Sequence, residues 1–321
     1  MPSGITHILL TKKLQDVIPE STLKDILADC GAFLTIGAVA PDLPYASIAD
    51  IDTFLLRQSV MADNFHYLKT NQIPLRSLDK LKALNGNIDE ETHYQMFTFF
   101  LGYISHVVAD GICHPYIRDK VGNYAQNKAA HRSLELQLDV LNYHQFTSNS
   151  GYSLELIYTD IQKELLDYKS SKNWLATFQV FDQLINEIYG GEDSVQNIAD
   201  WTQGLDNMFS LAGGTGLEII RGQEANSYQF KYYKDINPQK DLNLIKPVDR
   251  DINFLHTPLI KWFVDCVPRF NKIFVSLAQR AYGYVYESGA KLTENDIPPI
   301  DLDTGRLIEN DNLDSIPEFW K

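Results

Sequence analysis

The stretch "LGYISHVVADGICHP" (residues 101–115) sets His106, Asp110 and His114 four residues apart in an otherwise apolar run. On an α-helix a step of four residues advances a side chain by only about 40° around the axis. All three groups therefore face nearly the same way. Burying ionisable groups costs several kcal/mol unless they are paired or bound to something, so the spacing calls for a common partner. Neutral imidazole and carboxylate are the usual ligands of zinc where thiolates are absent.

Four further places carry the same chemistry. "GITHILL" contributes His7, and "GAVAPDLPY" places Asp42 directly after a proline, where a helix should end. "ADNFHYLK" contributes His66. "AHRSLELQLDV" sets His131, Glu135 and Asp139 at steps of four on a second helix. Two helices that each present a histidine and a carboxylate on one face can build a metal site in the core of a bundle. A single buried histidine is ordinarily a hydrogen-bonded core residue, and His93, His144 and His256 are read that way.

In this order the motifs are an N-terminal His, a Pro-Asp, an isolated His, His-x3-Asp-x3-His and His-x3-Glu. With them, residues 2–140 resemble the zinc-dependent phospholipase C family. That family is related to the single-strand-specific zinc nucleases and to the N-terminal domain of glycosylphosphatidylinositol-specific phospholipase D. The "SHVVADGICH" spacing is closest to the last branch, since the secreted enzymes have a longer gap from Asp to the next His. The resemblance implies an all-α bundle with up to three zinc ions at the base of a cleft. It assigns the first zinc to Asp42, His66, His106 and Asp110. Asp110 bridges to the second, which His7 and the amine and carbonyl of Pro2 complete once Met1 is removed. The third falls to His114, His131 and Glu135, with Asp139 either behind the ligands or at the surface. The resemblance further implies that Asp42 orients a hydroxide held between the first two zincs, or takes the proton of the water that yields it. The implied reaction is phosphodiester hydrolysis, with a phospholipid or another small phosphodiester as substrate. Two alternatives stand beside it: a zinc nuclease or nucleotidase, and a non-catalytic, zinc-stabilised helical binding module.

The elements that must position these groups read as helices. The stretch from Ser21, an N-cap, to a stop near Pro41 is helical, as are 90–111, 127–146, 153–169 and 172–190, the last ended by Gly190–Gly191. A long candidate over 258–286 contains Pro268, which should kink or split it. The one strand signal is "SYQFKYY" (227–233). "LAGGTGLEII" (211–220) lacks the Lys-Ser/Thr of a phosphate loop and reads as a flexible connection between helices. The aromatic run Tyr228, Phe230, Tyr232 and Tyr233 reads as packing, with a lipid-facing cleft as the alternative. The fold class is all-α: one domain over 1–287, followed by an acidic, proline-containing, loosely held tail over 288–321.

Composition narrows the partners. The 321 residues carry 42 acidic and 28 basic side chains, a formal charge of −14, which disfavours a long polyanion. Nucleic acid is thus an improbable substrate, while peripheral contact with lipid is compatible. Three widely spaced cysteines, Cys30, Cys113 and Cys266, do not make a disulfide framework. No run approaches the roughly 18 unbroken apolar residues of a membrane span. The start of the chain has no signal-peptide pattern, so the expected location is cytoplasmic.

Overall fold

The computed structural model describes residues 4–47, 59–150, 171–191, 195–213, 217–221, 228–232 and 266–309. The helix expected over 153–169, the first part of that expected over 258–286, Pro2, His256 and residues 310–321 lie outside them. Among the described residues the chain forms ten α-helices and two small hairpins, an all-α architecture.

The centre is α6 (Glu90–Val121), opened by Asp89, whose side chain accepts from the Thr92 N–H, and closed by Gly122 at φ 96°. It runs a full turn or more past the end predicted from the sequence. Its length and apolar composition would suffice to cross a membrane, yet the span Glu90–Arg118 is wholly buried inside the protein. A helix that is apolar on every side needs neighbours on every side. Those are α1 (Gly4–Val17), α2 (Thr22–Asp29), α3 (Gly31–Val39), α5 (Gln72–Leu84), α7 (Tyr124–Ser150), α8 (Lys172–Tyr189) and α10 (Val267–Tyr286).

The packing of α3 on α6 is the closest. A Cβ added to Gly37 would stand 2.0 Å from the Phe99 carbonyl oxygen, and one added to Gly102 would stand 2.3 Å from that of Leu34. The two backbones touch because neither residue has a side chain there. Ser21 caps α2 as its type predicts, but the helix then turns by 77° at Cys30 into α3. Beyond α3 the prolines Pro41 and Pro44 convert the chain to a 3-10 helix, Ala40–Ala46, which carries Asp42. Short α4 (Val60–Tyr67) follows and carries His66 near its end.

Pro268 lies in the first turn of α10, where its missing N–H costs nothing; the helix expected before it, over 258–265, lies outside the described residues. Two expectations are corrected. Residues 217–221 are not part of a connection. β1 (Leu217–Arg221) pairs antiparallel with β2 (Tyr228–Tyr232), Ile219 opposite Phe230; α9 (Val195–Gly213) precedes them. Nor is the chain loose throughout from 288, because Ile297, Ile300 and Leu302 are fully buried. The strands β3 (Ile300–Asp301) and β4 (Arg306–Leu307) pair around a turn with Gly305 at φ 65°. Hydrophobic contacts with the bundle outweigh the acidic composition of this segment.

Candidate metal centre

Five elements converge on one buried region. Helix α6 supplies His106, Asp110 and His114 from a single face, all 2% exposed or less. The connection after Gly122 is short, so α7 turns back beside α6. Regular helix resumes after a break at Asn127 (φ −129°, ψ 32°) and brings His131 and Glu135 opposite His114. His7 enters from α1, Asp42 from the 3-10 helix and His66 from α4.

The ligand atoms lie at the distances a metal needs. A tetrahedral zinc with bonds of about 2.0–2.1 Å holds its ligand atoms about 3.3 Å apart. His66 Nε2 is 3.2 Å from Asp42 Oδ1 and 3.7 Å from Asp110 Oδ2. His106 Nε2 is 3.1 Å from Asp110 Oδ2, 4.0 Å from Asp42 Oδ1 and 3.3 Å from His66 Nε2. The other oxygen of Asp110, Oδ1, is turned away from this group. It lies 3.2 Å from His7 Nε2 and 3.8 Å from His114 Nε2. The third group brings Glu135 Oε1 within 3.0 Å of His131 Nε2 and 3.8 Å of His114 Nε2. Three sets able to hold an ion result: Asp42–His66–His106, His7–His106–Asp110 and His114–His131–Glu135. The structure thus brings together all eight internal residues that the sequence singles out, whereas Pro2 lies outside the described residues.

The polar atoms at the centre fit a cation. Both oxygens of Asp110, Oδ1 of Asp42, both ring nitrogens of His7 and Nε2 of His114 are buried without a well-formed hydrogen bond. Such groups are costly unless a cation satisfies them. The histidines are turned accordingly. His66 Nδ1 lies 2.6 Å from the Ala62 carbonyl, His106 Nδ1 2.8 Å from that of Ala38 and His114 Nδ1 2.6 Å from that of Leu302. A carbonyl only accepts, so each Nδ1 carries the proton and each Nε2 presents its lone pair inward. Ligating histidines are held in this way.

Four of the shifted groups agree with that picture. Burial resists ionisation of Asp110, but His114 and His106 outweigh it and hold the carboxyl well below its usual range. Burial likewise resists ionisation of Glu135, yet the electrostatics and hydrogen bonding around it bring it down to about 2. Burial pushes His114 and His7 toward the neutral form. Ionised carboxylates and neutral imidazoles are the forms that bind metal. His106 goes the other way: burial opposes its charge, but Asp110 and Asp42 raise its pKa.

Asp139 is buried rather than at the surface. Its Oδ1 accepts from the Thr6 N–H at 3.0 Å and the Thr6 hydroxyl at 2.5 Å, pinning α1 beside His7. His93 is a core residue, between the Leu81 carbonyl at 2.8 Å and the Tyr286 hydroxyl at 2.7 Å. Sequence reasoning missed the carbonyls of Ala38, Ala62 and Leu302, because a backbone acceptor leaves no mark on residue type. The glycine pair that brings α3 to His106 did leave one.

The family model of zinc dependent phospholipase C matches residues 6–194, more than half of the chain. The protein belongs to that family, and is therefore of a phospholipase C-like, zinc-dependent hydrolase type. No curated protein and no solved structure matches the chain.

Proposed function

We propose that this protein hydrolyses phosphodiesters at a cluster of up to three zinc ions, with a phospholipid as the first-choice substrate. The observation that carries the proposal is the division of labour at Asp110. One carboxylate oxygen faces His106 and His66 while the other faces His7 and His114. A fully buried carboxylate shared in this way suits two adjacent cations, the arrangement that serves phosphoryl transfer.

In this proposal Asp42, His66, His106 and Asp110 hold the first ion, and His7 with Asp110 holds the second. His114, His131 and Glu135 hold the third. Bound zinc would supply an acidified water and polarise the phosphoryl oxygens. The chain's own residues do the rest. His66, His106 and His114 keep their Nδ1 protons on backbone carbonyls, so their Nε2 lone pairs stay available. Asp42 is the one carboxylate of the cluster with appreciable exposure, 14%. Its buried Oδ1 faces His66 and His106, so its other carboxylate oxygen is the one suited to take a proton from the attacking water. The all-helical walls exclude solvent from the remaining groups.

The test is a panel with the zinc-saturated protein: phosphatidylcholine and phosphatidylinositol vesicles, single-stranded DNA, and a soluble nitrophenyl phosphodiester. Release of phosphorylated head group and diacylglycerol, abolished by chelation and restored by zinc, is the expected result. Turnover of DNA alone would replace the substrate class, and inertness toward all four with zinc bound would overturn catalysis.

A further inference from the structure

The family match ends at residue 194, yet the carbonyl that orients His114 belongs to Leu302. The backbone of that one residue is tied to two candidate ligand residues. Its C=O accepts from His114 Nδ1 at 2.6 Å, and its N–H donates to the His66 carbonyl at 3.0 Å. The flanking residues are anchored around the same region. The Thr70 hydroxyl donates to the Ile300 carbonyl at 2.6 Å, and Arg118, one turn beyond His114, donates to the carboxylate of Asp303. Asp301 Oδ1 accepts the N–H groups of Asp303 and Thr304 at 2.8 and 3.0 Å, which folds the turn that presents Leu302. The side chain of Leu302 is itself fully buried.

We infer that residues 297–306 are a positioning strap of the metal centre, fixing the ring of His114 and tying the end of α4, with His66, to the same residue, Leu302. A carbonyl at Nδ1 permits one tautomer, the one whose Nε2 lone pair faces Glu135 and Asp110. Because Leu302 contacts both histidines, displacing it disturbs the first and third ion sites together. The consequence for zinc rests on the function proposed above, whereas the tautomer is enforced with or without metal. Partners of this kind typically change metal affinity by about 10–100-fold when lost.

The experiment uses the full-length chain with the double substitution Thr70→Val and Asp303→Asn, which loosens two ties of the strap and alters no ligand. Nitrogen-15 imidazole spectra of the metal-free protein read the His114 tautomer, and chelator competition reads the zinc affinities. The wild type is expected to show His114 protonated on Nδ1. The double variant is expected to show a mixture of tautomers and to release zinc about 10–100-fold more readily. Arg280→Ala, which removes the exposed tie to Asp296 in the same part of the chain, should leave both readouts unchanged. A wild-type His114 protonated on Nε2 would overturn the inference, as would a double variant with wild-type spectra and affinities. If the double variant does not fold, Asp303→Asn alone is judged by the same two readouts. A wild type that takes up no zinc but loses the Nδ1 tautomer in the variant would defeat the proposed function and leave the strap standing.

Discussion

The substitution Gly102→Ala tests how the fold positions His106. In an open helix, replacing Gly with Ala gains about 1 kcal/mol. At position 102 the added Cβ would stand 2.3 Å from the Leu34 oxygen, 2.7 Å from the Ala38 nitrogen and 2.7 Å from the Gly37 Cα. All three are backbone atoms, so no side-chain rotation relieves them, and α3 must retreat by about 1 Å to restore ordinary contact. Overpacking of this kind costs about 3 kcal/mol at the upper end of its usual range. Net of the propensity gain the loss is about 2 kcal/mol, a fall in Tm of about 4–8 °C at 2–4 °C per kcal/mol. The retreat also draws the Ala38 carbonyl away from His106 Nδ1, now 2.8 Å distant, so zinc should leave the variant faster. Gly283→Ala in α10 is the control: its Cβ would meet only a Glu287 side-chain oxygen at 3.6 Å. It should raise Tm by about 2–4 °C. Differential scanning fluorimetry with zinc-release kinetics makes both measurements. A Gly102→Ala protein as stable as the wild type would refute the close-contact account of α3 and α6.

Three further outcomes are expected. Asp110→Asn keeps the side-chain shape but removes a charge proposed to be shared by two cations, so elemental analysis should show loss of the paired metals and assays should show no hydrolysis. Asp139→Asn should keep its zinc and lose about 1–2 kcal/mol in chemical denaturation, because its hydrogen bonds from Thr6 lose their charge assistance; equal metal loss in both variants would mean that the wrong face of the helices has been assigned. Burial lowers the His93 pKa below its ordinary value, so the unfolded chain binds its proton first. The stability His93 contributes is therefore full above about pH 6.5 and falls as pH drops toward its folded-state value. His93→Gln should flatten that part of the stability–pH curve of the zinc-saturated protein, and an unchanged slope would count against the assignment.

The candidate ligands on α6 and α7 were legible in the sequence because helical spacing does most of the geometry there. His106, Asp110 and His114 share a face by arithmetic alone, and His131 and Glu135 repeat the pattern. The long apolar context of α6 likewise announces a helix buried on every side. What was not legible depends on contacts distant in the chain. The turn at Cys30 arises where two helices pack at an angle, not from a proline. The pairing of residues 217–221 with 228–232 is fixed by a partner strand rather than by local propensity. Packing of Ile297, Ile300 and Leu302 against the bundle is hidden by the acidic residues around them. The orienting carbonyls of Ala38, Ala62 and Leu302 belong to the backbone, which every residue possesses. Asp139 was placed on the correct face, but only the fold reveals that Thr6 meets it there.

This cluster is proposed to hold zinc. The most direct measurement is elemental analysis of the full-length protein after zinc loading and removal of free metal, paired with thermal denaturation before and after a strong chelator. Up to three zinc ions per chain are expected, with a clear fall in Tm on chelation, because buried Asp110, His7 and His114 would then lose the cation that satisfies them. A protein that binds no transition metal and whose Tm is indifferent to the chelator would contradict that proposal.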